Sequence, residues 1–112
     1  MEPLAAGTVV LVRFPFSDLS SSKLRPALVM ASPGRGDVVL CQITSNPYAD
    51  PRAVELDDTD FEDGGLERKS YIRPAKLFTA HEGLIEGRVG VLTANARARA
   101  VGALVGLLQE QL

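Results

Sequence analysis

The sequence predicts a mostly-β protein, a small barrel of five to seven short strands closed by one C-terminal α-helix. Three observations carry that expectation. Short runs rich in Val, Ile and Leu recur along most of the chain, and clusters of Gly, Pro, Ser, Asn and Asp separate them. Only beyond Thr93 does the apolar spacing change to three and four, the period of a helix. At 112 residues, 46% of them hydrophobic, the chain is one domain's worth spanning 1–112. Such a chain buries roughly 65% of its unfolded surface, a sufficient core without staples.

Gly7 opens the first strand, Thr8-Val-Val-Leu-Val-Arg13, which is apolar on both faces of the pleat and so reads as an interior strand. Pro15 is expected to break that ladder, leaving Phe14 and Phe16 as loop anchors or, alternatively, as stacking platforms. A Ser-rich loop leads to Pro26–Ala31, with Pro26 in the first strand position, where a missing N–H is tolerated. Ser32-Pro-Gly-Arg-Gly-Asp37 reads as a hairpin turn into a third strand, Asp37–Ile43. Arg52–Leu56 is a short fourth strand, and Glu55–Asp63, with six carboxylates in nine residues, reads as a solvated loop ended by Gly64-Gly65. Its spacing matches no calcium-loop pattern. Ser70–Leu77 and Arg88–Leu92 are the remaining strands, with Thr79–Gly83 a turn around His81. Thr93 is a good N-cap, and Val101, Leu104, Val105, Leu108 and Leu112 form one apolar stripe. Gly102 and Gly106 are expected to allow close packing against the barrel or a partner helix.

Composition excludes several classes. A single cysteine, Cys41, rules out an internal disulfide framework and suits a reducing compartment. It sits in an apolar run, as a buried thiol does. No apolar stretch approaches a membrane span and no signal-peptide pattern is present, so a cytoplasmic protein with no membrane partner is expected. The net charge of −2 argues against a uniformly basic nucleic-acid binder. The acidity is local, however. Residues 51–69 carry seven acids and three bases, whereas 1–50 are balanced at four each and 70–112 carry three acids and five bases.

The polar features converge on three places. Arg25 precedes Pro26, which disfavours the helical region for the residue before it, so a permanently charged guanidinium stands on extended backbone. Thr44-Ser-Asn46 puts two hydroxyls and an amide at the exit of the third strand. A hairpin between the second and third strands brings both to the same end of the ladder. Arg73-Pro74 repeats the Arg-Pro pair. Arginines and hydroxyls suit phosphate oxygens, with metal-free phosphodiester cleavage the bolder reading. No metal cluster, P-loop or Ser/His/Asp arrangement appears, and no cofactor is expected. His81 reads as a solvated loop histidine rather than an acid–base catalyst.

The stretches Gly7–Leu19, Lys23–Val29 and Val39–Ser45, with Gly64-Gly-Leu66 and Ser70–Arg73 in order, resemble the MazF/PemK-type (Kid-like) toxin endoribonucleases. The resemblance covers nearly the whole chain. It implies an SH3-like barrel, a homodimer, a cognate antitoxin, and sequence-selective, ribosome-independent cleavage of single-stranded mRNA. In such toxins the 2′-OH attacks the adjacent phosphate, leaving a 2′,3′-cyclic phosphate and a 5′-OH end. Carried over, Arg25, Thr44 and Ser45 are the catalytic candidates, and Lys23, Asn46, Arg73 and Asp18 the RNA-binding ones. Some members carry an acid where Ala75 stands, or an early loop histidine, and this chain has neither. The general base is therefore open, with Asp18 as a candidate. The alternatives are a non-catalytic RNA- or protein-binding barrel, or a gyrase-directed poison on the same fold, which uses a tryptophan that this chain lacks.

Overall fold

The computed structural model of the protein describes residues 4–15 and 22–110, with backbone alone at 14, 15 and 22. Seven strands follow in order: β1 (Thr8–Pro15), β2 (Ser22–Gly34), β3 (Asp37–Thr44), β4 (Val54–Leu56), β5 (Phe61–Gly64), β6 (Ser70–His81) and β7 (Ile85–Leu92). The helix α1 (Ala94–Leu108) closes the chain. All pairings are antiparallel in one sheet, ordered β4-β6-β3-β2-β1-β7-β5.

The connection between the two edge strands shows that this sheet is curled. Residues 57–60 alone carry the chain from β4 to β5, and four residues span at most about 14 Å. Six strand spacings laid flat would separate those edges by about 29 Å. The sheet must therefore wrap into a half-barrel, with α1 packed against β6, β4 and β7.

Wrapping gives the sheet two apolar faces. Val9, Leu28, Cys41, Ile43, Leu56, Ile72 and Leu92 pack with Ala96 and Ala100 of the helix. Alternate residues, including Val10, Val12, Ala27, Val29, Val38 and Leu40, form a second cluster with Ala80. Burial on both faces of β1 agrees with its interior place between β2 and β7.

Several elements differ from the sequence expectation. Pro15 does not break the first ladder: it pairs with Ser22. Pro26 does not open β2 but lies inside it, opposite Leu11. On the β3 side the ladder starts only at Ala27, which leaves room for a residue without an N–H. The hairpin turn narrows to Arg35-Gly36, with φ of 61° and 80°, the two left-handed residues of a type I′ turn. The acidic stretch is not a free loop. Asp57 caps a 3₁₀ turn over Asp58–Asp60, and β5 follows. Cations meet its carboxylates: Arg99 of α1 reaches Asp60 at 2.5 Å, and Lys69 pairs with Glu55. His81 ends β6, and its ring Nδ1 accepts the Gly83 N–H at 3.0 Å.

Thr93 caps α1 as expected, its hydroxyl oxygen accepting the Ala96 N–H at 3.1 Å. The predicted stripe is rotated, however. The helix buries Ala96 and Ala100, while Val101, Val105 and Leu108 stay exposed. Small alanines let the helix sit close to the sheet, and the larger side chains then point away. A methyl group at Gly102 or Gly106 would meet nothing within 4 Å, so neither glycine is needed for packing on the barrel. Gly64 is constrained, with φ +68° and a virtual Cβ 2.1 Å from the Val89 carbonyl oxygen, where β5 crosses β7.

Candidate functional site

Antiparallel register brings the two main candidates together. Ala27 of β2 pairs with Gln42 of β3. That pair ends the β2–β3 ladder, and just beyond it, at the same end, Arg25 and Thr44 line one groove. Thr44 in turn pairs with Tyr71 of β6. Arg25 is anchored by its own strand, opposite Val12 of β1.

A groove of about 670 Å³ opens at this end of the sheet. Arg25, Thr44 and Ser45 line it, with Lys23 beside them, and residues 65–68 with Ser70 form the opposite wall. Its described lining carries three cations, Lys23, Arg25 and Arg68, against one carboxylate, Glu67. A chain of net charge −2 thus concentrates positive charge in one concavity, which suits a polyanion.

Thr44 is 8% exposed, and its hydroxyl oxygen accepts the Asn46 N–H at 3.1 Å. That contact orients the hydroxyl and leaves its proton to donate. Ser45 is exposed beside it. Asn46 is exposed too, but its carboxamide oxygen accepts the Tyr48 N–H at 2.9 Å, so it also shapes the turn.

Arg73 stands on the neighbouring strand β6, outside the groove lining. It pairs in register with Gln42, and its Nε donates to Asp50 Oδ2 at 3.1 Å, the two side chains being 18% and 9% exposed. The Arg52 N–H first, and the Arg73 guanidinium after it, hold the Asp50 carboxyl below its usual value of 3.8. The Arg73 guanidinium also lies 5.3 Å from the Tyr48 ring centroid, a cation–π arrangement. Its guanidinium thus meets both Asp50 and the Tyr48 ring within the protein.

Asp18 and Phe16 lie outside the described residues. Ala75 falls in the irregular stretch of β6 between Arg73 and Leu77, where the register with β3 shifts. His81 pairs with Asp37, at the other end of β3 from Thr44, about 23 Å along the strand. Cys41 is buried, and burial pushes its thiol up to about 11, so it is no nucleophile at neutral pH. Among the described residues no group of metal-ligating side chains gathers, and no helix is long and apolar enough to cross a membrane.

Sequence reasoning missed Glu67, Arg68, Tyr48 and Asp50. The first two follow the Gly64-Gly65 pair, a turn signal that hides which wall they join. A Tyr within Asn46-Pro-Tyr-Ala-Asp50 was the readable hint, since an aromatic in a polar turn needs a reason.

The family model for PemK-like, MazF-like toxins of type II toxin–antitoxin systems matches residues 5–106, and the chain belongs to that family. No curated protein sequence matches significantly. Among solved structures, a MazE–MazF crystal structure from Deinococcus radiodurans superposes with TM-score 0.77 at 21% identity, covering 98% of this chain and 100% of the other. An endoribonuclease in complex with its cognate antitoxin, from a mycobacterial species, gives 0.76 at 16% identity, covering 100% and 99%. Mycobacterium tuberculosis toxin MazF-mt6 gives 0.72 at 16%, covering 94% and 99%. At such identities the likeness speaks for the fold, which is the MazF one.

Proposed function

We propose that this toxin is an endoribonuclease that cuts single-stranded RNA in the groove between the ends of β2 and β3 and residues 65–70. The observation that supports this most is that Arg25, Thr44 and Ser45 line the same cationic groove. The 2′-oxygen of one ribose attacks the adjacent phosphorus. The new P–O2′ bond forms as the P–O5′ bond breaks, giving a 2′,3′-cyclic phosphate and a 5′-OH end. Arg25 neutralises the charge that grows on the phosphate oxygens, and the Thr44 and Ser45 hydroxyls donate to them. Glu67, the carboxylate among the described groove residues, takes the 2′-OH proton. Water protonates the leaving 5′-oxygen. The nucleophile is already in the substrate and Arg25 supplies the positive charge, so the reaction needs neither metal nor ribosome. Lys23 and Asn46 bind the flanking backbone.

The partners of this reading are a cognate antitoxin, whose disordered tail would lie in the same groove, and a second copy of the chain. Its place of action is the cytoplasm, where mRNA lies. The test is purified protein with a long single-stranded RNA, with and without EDTA, and mapping of the new ends. Cleavage in EDTA with 5′-OH products is expected, reduced about 10²–10³-fold or more by Arg25→Ala without loss of fold. Full activity of that variant would remove Arg25 from the mechanism. Ala75, where some relatives resembling this chain carry an acid, favours a second reading, a non-catalytic RNA binder. Oligonucleotide binding with no cleavage under any condition would establish it.

A further inference from the structure

We propose that Tyr48, in the loop that leaves β3 after Thr44, is a base-stacking residue for the strand bound in the groove, its ring taking the face of one nucleobase. The inference rests on the nuclease reading for its substrate class. Tyr48 is 61% exposed, although aromatic rings usually gain by burial. One face of the ring is covered, with the Arg73 guanidinium 5.3 Å from its centroid. An exposed ring with a guanidinium over it is the arrangement of a platform that a base can join as a further layer.

Hydrogen bonds tie down the loop backbone that carries the ring. Tyr48 and Ala49 have φ of 54° and 57°, left-handed conformations that non-glycine residues rarely adopt. The Asn46 side chain accepts the Tyr48 N–H, and the Asp50 N–H donates to the Pro47 carbonyl at 2.9 Å. The Asp50 carboxylate accepts the Arg52 N–H at 2.9 Å and pairs with the Arg73 Nε at 3.1 Å. Arg73 is thus a positioning residue, whose charge strengthens the ring as one layer of a stack. The location also fits. Tyr48 follows Thr44 by four residues in the same exit loop, and Arg73 pairs with Gln42, two residues before Thr44 on the same strand face. A strand of RNA whose phosphate meets Arg25 and Thr44 brings a neighbouring base within reach of this ring. A π-face accepts any base, so the platform orders the nucleotide, and its edges are then read by nearby polar groups.

The test uses a short single-stranded oligodeoxynucleotide, which lacks the 2′-OH and is not cut. Tyr48→Ala is expected to weaken its binding roughly 5- to 150-fold, while Tyr48→Phe binds as the wild type does. The chain contains no tryptophan, so Tyr48→Trp places a lone reporter at the site, and its emission is expected to be quenched on binding. On cleavable RNA, Tyr48→Ala is also expected to raise KM more than it lowers kcat. Unquenched Trp emission with bound oligonucleotide overturns the proposal even if Tyr48→Ala fails to fold. So does unchanged affinity of a folded Tyr48→Ala, or no binding by the wild type. Quenching by a protein that never cuts RNA defeats the nuclease reading and leaves the stacking site standing.

Discussion

Arg25 and Glu67 line the same groove with opposite charges, and the proposed reaction asks opposite things of them. A guanidinium stays protonated and stabilises charge, whereas a carboxylate must accept a proton and release it. Glu67→Gln keeps the shape and removes the basicity. A rate loss of about 10²–10⁴-fold is expected, with the melting temperature unchanged. A rate close to wild type would move the base to another residue, Asp18 being the first to try. Asp50 titrates structurally. Its folded-state value lies below the usual 3.8, so near that pH the unfolded chain binds more protons than the folded one. The stabilisation is complete above pH 3.8 and is lost as pH falls through the depressed value. Asp50→Asn is expected to destabilise by about 1–3 kcal/mol at neutral pH. The gap to wild type should close in strong acid, which thermal melts across pH would show.

At the scale of elements, the close crossing of β5 over β7 depends on glycine at two facing positions, Gly64 and Gly90, which pair in register. A Cβ on Gly90 would lie 2.5 Å from the Asp63 carbonyl oxygen. Gly64→Ala combines a left-handed backbone, costing about 1–2 kcal/mol, with a contact of 2.1 Å to the Val89 oxygen. A fall in Tm of about 8 °C or more is expected. Gly65→Ala is the control, because its Cβ would meet nothing within 4 Å, and a melt near wild type is expected. If both variants melt alike, the crossing is not what holds β5. The hairpin of β2 and β3 was readable from its turn residues alone, since Gly-Arg-Gly supplies left-handed conformations locally. The strand β5 was not readable, because six carboxylates in nine residues look solvated until Arg99 and Lys69 arrive from distant segments.

Over the whole molecule, charge is separated rather than absent. The chain is net −2, yet the groove gathers Lys23, Arg25 and Arg68 around one carboxylate. Binding of single-stranded nucleic acid should therefore depend on salt in proportion to the phosphates neutralised. Three contacts give a slope of about −2 in log K against log salt, and Arg68→Gln should flatten it by about 0.7. An unchanged slope would take Arg68 off the binding surface. The mean field of the protein would mislead here, because a repulsive average hides an attractive concavity.

By itself the sequence determined what short range decides. Alternating apolar runs set the strands, Thr93 set the helix start, and the Arg-Pro and Thr-Ser elements set the two candidates at one end of a hairpin. Those follow from backbone stereochemistry and a period of two or three and a half residues, which neighbouring residues impose on one another. Only the tertiary structure decided how Arg73 is used, because its partner Asp50 lies 23 residues away. The same holds for Glu67 and Arg68, which become a groove wall when the sheet curls and its edges approach. Curl is a property of seven paired strands together, so no single stretch of the chain announces it.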